Sequence, residues 1–127
     1  MKTLDFFAPS AIKLVAAMGD AEMGALAFGV IGFDAQGLVR RYSSVESRLA
    51  GLSAERVIGQ SMFQSVAPCM NNFMVAQRFA DAAAQQTRLD DTIDYVLTLR
   101  MRPTQVRLRL LASPDQPIRF ILVDRRV

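Results

Sequence analysis

Ile93-Asp94-Tyr95-Val96-Leu97-Thr98-Leu99-Arg100-Met101, followed beyond Pro103 by Gln105-Val106-Arg107-Leu108-Arg109-Leu110, decides the fold. In the first run Ile93, Tyr95, Leu97, Leu99 and Met101 alternate with Thr92, Asp94, Thr98 and Arg100. In the second, Val106, Leu108 and Leu110 alternate with Gln105, Arg107 and Arg109. Side chains of a strand point to opposite faces in turn, so this pattern predicts two strands with one face buried and one partly wet. Ser113-Pro114-Asp115 supplies a turn, and residues 118–123 supply a third strand. The C-terminal third is therefore an antiparallel meander.

Working back from the meander, residues 26–34 read as a strand rich in β-formers: Phe28, Val30, Ile31 and Phe33. Asp34-Ala35-Gln36-Gly37 forms a turn in which Gly37 is free to take positive φ, and residues 38–42 return as the second arm of a hairpin. Ser43 or Ser44 caps a helix that Gly51 stops, and Ser53 caps a shorter one that Gly59 stops. A loop over residues 60–69 follows. Asn71 or Asn72 then caps a longer helix reaching about Gln86, with Val75, Phe79 and Ala82 on one stripe. Near the N-terminus, Ser10 caps a short helix over residues 10–18 that Gly19-Asp20 breaks. The order is two strands, short helices, one longer helix, three strands. It predicts an α+β domain: a five-stranded antiparallel sheet with helices on one face and an N-terminal helical cap. Residues 1–25 form the cap and 26–127 the core of a single domain over 1–127. That order suits a PAS-like fold, whose helices and sheet enclose a small ligand pocket.

Composition narrows the function. The chain has 127 residues, 51% of them hydrophobic, which suits one domain with a real core. Its apolar runs fall short of the roughly 20 residues that span a membrane. The N-terminus carries an early acid and no small-residue cleavage site, which predicts a cytoplasmic protein without a signal peptide. With no histidine in the chain, Ser/His and Cys/His couples, histidine metal ligands and a proximal haem ligand are excluded. No phosphate loop or metal cluster is present, so an enzyme is not expected. The net charge is +3, with short clusters at Arg40-Arg41 and Arg125-Arg126. A solvated surface accounts for these, and no nucleic-acid motif accompanies them. One cysteine, Cys69, ends Val66-Ala67-Pro68-Cys69. It is either a small buried hydrophobe or a reactive thiol.

Several scattered motifs then join. Leu26-Ala27-Phe28-Gly29, Tyr42 and Glu46, Val57-Ile58-Gly59, Phe63, Val66-Ala67-Pro68-Cys69, Tyr95, Met101-Arg102-Pro103-Thr104 and Val123-Asp124-Arg125-Arg126-Val127 together resemble the photoactive yellow protein family. The likeness covers nearly the whole chain, with one small length difference between Phe79 and Tyr95. It implies a blue-light photoreceptor carrying p-coumaric acid (4-hydroxycinnamic acid) as a thioester on Cys69. Tyr42 and Glu46 would hydrogen-bond the phenolate. Ile31, Ala50, Leu52, Met62, Val66, Ala67, Pro68, Tyr95, Leu97 and Met101 would wall the pocket. The resemblance further implies trans–cis isomerisation in light, proton donation by Glu46, loosening of the cap as the signal, and thermal recovery. The partners expected are the chromophore and a downstream signalling protein, with no nucleic acid and no membrane, in a monomer or weak dimer.

The chemistry is consistent with physical principle. A buried phenolate needs donors around it. Tyr42 supplies one O–H, and Glu46 supplies another only while protonated, a state favoured by burial and by a nearby anion. The chain also departs from the family pattern. Ala50 stands where a threonine is common, Leu52 where an arginine lids the chromophore, Leu97 where an aromatic packs, and Met62 where another phenylalanine occurs. The alternative is a PAS-type domain of the same ancestry that binds another small molecule, or acts only in protein interaction.

Overall fold

The computed structural model describes residues 4–98 and 103–126. Its elements are α1 (Ala11–Ala16), α2 (Asp20–Gly24), β1 (Gly29–Phe33), β2 (Val39–Tyr42), α3 (Ser44–Ala50), α4 (Ala54–Val57), α5 (Ala76–Gln85), β3 (Leu89–Leu97), β4 (Thr104–Ala112) and β5 (Arg119–Asp124). A π-helical turn (Met62–Val66) and a 3-10 turn (Pro68–Met70) lie between α4 and α5. The strands form one five-stranded sheet in the order β2-β1-β5-β4-β3, with every pairing antiparallel. The fold class expected from the sequence is the one observed.

Local signals set the boundaries. Gly37 closes the hairpin at φ 81°, and Gly51 ends α3 at φ 73°. The Ser43 and Ser53 hydroxyls accept bonds from Glu46 N and Arg56 N, capping α3 and α4. Asn72 caps differently from expectation. Its Oδ1 accepts from Met74 N and Val75 N, so one tight turn precedes the helix, which begins only at Ala76. β3 begins earlier than the alternation around Tyr95 indicates, because Leu89 extends the same inward face. Residues 99–102, including the predicted Met101, lie outside the described residues.

The largest correction concerns the faces of the sheet. Ile31, Leu108, Leu110, Ile121 and Val123 pack on one face with Val57, Met62, Val66 and Phe79 from the connecting segments. Their strand neighbours Val30, Leu111, Phe120 and Leu122 pack on the other face against Phe6, Ala11, Val15, Met23 and Leu26. The outer face beneath the cap is therefore dry rather than partly wet. Gly19-Asp20 does break the first cap helix, which ends at Ala16, and a second short helix starts at Asp20. Towards the β3 edge the face is wet, where Asp90, Thr92, Asp94 and Val96 are exposed.

Arg109 ties the cap down. It is 6% exposed. Nε and Nη2 each lie 2.8 Å from an oxygen of Asp90, and Nη1 donates to the carbonyls of Phe6 at 3.0 Å and Ala8 at 2.7 Å. Arg107 stacks its guanidinium 5.7 Å from the Phe7 ring centroid. Arg41, expected on a solvated surface, also reaches the cap, donating to the Met18 carbonyl at 2.9 Å. Among the described residues no helix is long and apolar enough to cross a membrane.

Two predictions follow from these contacts. Arg109→Met keeps the aliphatic stem but removes the guanidinium bonds. It is expected to cost about 1–3 kcal/mol and to speed amide exchange across residues 4–24 while β5 stays protected, read by hydrogen exchange. Asp34 accepts from Gln36 N, Leu38 N and Arg40 Nε. Burial opposes its charge, but those bonds outweigh it and hold the carboxyl below its usual range. Its contribution is present above the unfolded carboxyl value, about 3.9, and is lost as pH falls through the lower folded value. Asp34→Asn should flatten the corresponding part of an acid-denaturation curve.

Candidate functional site

The loop that carries Cys69 is built by two successive helix distortions. Val66 N and Ala67 N reach back five residues to the Ser61 and Met62 carbonyls, at 3.0 and 2.8 Å, making the wide π-type turn. Ser61 caps it by accepting from Gln64 N at 3.2 Å. Pro68 has no N–H to continue the ladder, so a 3-10 turn starts there and sets Cys69 at an intermediate depth. Three backbone bonds dock this loop on β2 and the hairpin turn before it: Val39 N to Gln60 O at 2.9 Å, Gly59 N to Val39 O at 2.8 Å, and Met62 N to Gly37 O at 2.8 Å.

The docking brings distant residues into one apolar cluster. Ile31, Tyr42, Met62, Val66, Ala67 and Leu97 are buried members, and Leu52, Cys69 and Tyr95 pack against them half-buried. Ile31 and Tyr42 are directly paired across β1 and β2. Ala50 is buried near the end of α3. Pro68 is exposed, and its role visible here is in the turn.

Tyr95 and Asn72 clamp the cysteine's own carbonyl. The Tyr95 hydroxyl donates to Cys69 O. Asn72 Nδ2 donates to the same carbonyl at 3.2 Å and to the Tyr95 oxygen at 2.6 Å. Asn72 is thus both a helix-entry cap and a support for Cys69. The sequence indicates only the first role.

Glu46 enters from α3. Ser43 fixes that helix to β1, since its Oγ accepts from Val30 N at 3.0 Å and from Glu46 N at 3.2 Å. Glu46 is 2% exposed, and its carboxylate sits over Gly29, where an added Cβ would lie 2.0 Å from Oε1. Gly29, which the sequence offers only as part of a motif, is therefore the space that seats the carboxylate. Arg125, beyond the end of β5, grips both oxygens: Nη1 to Oε1 at 2.7 Å and Nη2 to Oε2 at 2.9 Å. The side chains of this pair are 15% and 3% exposed. Arg125 is thus not part of a solvated cluster, whereas its neighbour Arg126 is 56% exposed and pairs with Asp124.

Electrostatics sharpen the roles. Burial pushes the Tyr42 phenol far above its usual value, the Glu46 charge pushes it further, and Arg125 opposes. Tyr42 is therefore a neutral O–H donor. For Arg125, burial disfavours the charge, but the bond to Glu46 and its negative field outweigh that and hold the guanidinium firmly protonated. Among the described residues no group of three or more His, Cys, Asp or Glu side chains could hold a metal.

A free thiol meets one side of the apolar cluster, the Tyr42 ring belongs to the cluster itself, and Glu46 with Arg125 lies within electrostatic range of Tyr42.

Comparison with known proteins agrees with this architecture. The PAS fold family matches residues 17–125. The photoactive yellow protein of Rhodothalassium salexigens is 33% identical over 125 residues, covering 98% of this chain and 99% of its own. That of Halochromatium salexigens is 32% identical over 111 residues, covering 87% and 88%. The crystal structure of the photoactive yellow protein domain from the sensor histidine kinase Ppr of Rhodospirillum centenum superposes with a TM-score of 0.80 at 37% identity, covering 87% of this chain and 96% of that one.

Tyr95→Phe removes the hydroxyl's bond to the Cys69 carbonyl, leaving that of Asn72, without changing ring packing. We expect a loss of about 1–2 kcal/mol and a severalfold faster reaction of Cys69 with an aromatic disulfide reagent, followed by release of the coloured thiolate. An unchanged rate would mean that Tyr95 does not restrain the loop.

Proposed function

Because the chain belongs to the PAS fold family and, within it, to the photoactive yellow proteins, we propose that it is a blue-light photoreceptor, carrying p-coumaric acid as a thioester on Cys69 and acting in the cytoplasm. The observation that carries this reading is one juxtaposition. A half-buried free thiol packs against the cluster that contains Tyr42, and Glu46 is buried close enough to bias the Tyr42 phenol. When bound, the chromophore supplies light absorption and isomerisation about its double bond.

The chain's own residues do the rest. Cys69 Sγ is the point of attachment, and Tyr95 with Asn72 fixes the backbone that carries it. Tyr42 holds its proton and donates a hydrogen bond to an anionic phenolic oxygen. Glu46 is the second polar group at that end and, when protonated, the proton source. Met62, Val66, Ala67 and Leu97 exclude water, which strengthens every polar contact inside. After Glu46 gives up its proton, its buried carboxylate costs several kcal/mol, roughly, until the Arg125 guanidinium pairs with it. That is comparable to the stability of a marginal domain. The cap is the segment expected to yield, because its helices are short and lie outermost on the sheet. Its release would be read by a downstream signalling protein. The domain works as a monomer or weak dimer.

Purified protein mixed with an activated p-coumaric ester should form a covalent adduct with a visible band, and Cys69→Ala should abolish both. Tyr42→Phe should keep the adduct but raise the pH at which the visible band appears, because the anion loses a donor. No adduct on the natural chain would sink the photoreceptor reading and leave a PAS-type binding or interaction domain.

A further inference from the structure

The Glu46 carboxylate is held in a closed guanidinium fork, and this bears on what it can do. An ionised carboxylate is an acceptor only. Here the Arg125 fork spans both of its oxygens, at 2.7 and 2.9 Å, in a site where the carboxylate is almost fully buried and lies over Gly29, which has no Cβ. Two parallel N–H···O bonds of this kind are charge-assisted and directional. Tyr42 from the end of β2 and Arg125 from the segment after β5 face Glu46, and Ser43 bonds its backbone rather than its carboxylate.

We propose that Arg125 is the counter-ion of Glu46, and that it acts as a positioning residue controlling when Glu46 can bear a proton. With the fork closed, Glu46 is an anion and donates to nothing. Glu46 becomes a donor only when the guanidinium withdraws, because a buried carboxylate without a counter-ion neutralises itself by taking a proton. The proton bound to Glu46 Oε then replaces the fork, one positive charge for another. This inference rests on Glu46 being the proton-bearing group proposed above, but it concerns the chain's own two residues and can be read without a chromophore.

The test is infrared spectroscopy of the chromophore-free protein in the carboxylic-acid C=O region. The natural chain and Glu46→Gln should give the same acid band intensity, because Glu46 is ionised. Arg125→Gln should gain an acid C=O band that the Arg125→Gln/Glu46→Gln double variant lacks. Arg125→Lys, which keeps the charge but not the fork, should resemble the natural chain. A merely structural role for Arg125 would not produce a band that depends on Glu46. If the natural chain already shows an acid band that Glu46→Gln removes, the counter-ion proposal is overturned. That comparison needs no Arg125 variant, so poor folding of Arg125→Gln leaves the test intact. The loading assay with activated p-coumaric ester is separate. Its failure would remove the photoreceptor reading while the infrared result still decides the state of Glu46.

Discussion

Three central strands each serve two interiors, and the remaining packing depends on that. Along β1, β4 and β5, successive residues face opposite sides of the sheet, and both sides are apolar near the centre: Val30 against the cap and Ile31 against the loop that carries Cys69, then Leu110 and Leu111, then Phe120 and Ile121. A register slip of one residue would exchange the two sets. The cap and the candidate pocket are therefore not independent structures. They are opposite faces of the same strands, and a change in packing on one side reaches the other through single backbone positions.

Charges inside this frame occur where backbone geometry makes room for them. Glu46 depends on the missing Cβ of Gly29, on the Ser43 cap that directs α3, and on Arg125 arriving from the far end of the chain. Glu46 and Arg109 are each paired with a residue distant in the chain, Arg125 and Asp90. Breaking one partner leaves the other exposed to the full cost of burial, which makes such pairs poor general stabilisers but effective two-position devices.

The sheet, its hairpin and the caps of α3 and α4 were legible because they depend on local patterns: period-two alternation, Gly37 and Gly51 at positive φ, and Ser43 and Ser53 before helices, whereas Ser10 before α1 makes no side-chain cap bond. The second cap helix was hidden because Gly19, which separates it from the first, is also the residue that precedes it. The dry outer face was hidden because Arg107 and Arg109 signal water in a strand pattern, yet here one stacks on Phe7 and the other binds carbonyls under the cap. In the candidate site, Cys69, Tyr42 and Glu46 stood out by residue type and motif. Arg125 did not, since its partner lies 79 residues away and adjacent arginines look alike until one is buried. Asn72 showed its capping role and concealed its contact with Tyr95 for the same reason of separation.

The way Arg109 holds the cap has an evolutionary corollary. Its contacts with the N-terminal segment are to the Phe6 and Ala8 carbonyl oxygens, atoms that every residue type possesses. Substitution at those two positions would alter the packing of the cap but leave the hydrogen-bond acceptors in place. The tether thus tolerates sequence drift on the cap side, and selection for retaining it falls on Arg109 and its orienting partner Asp90.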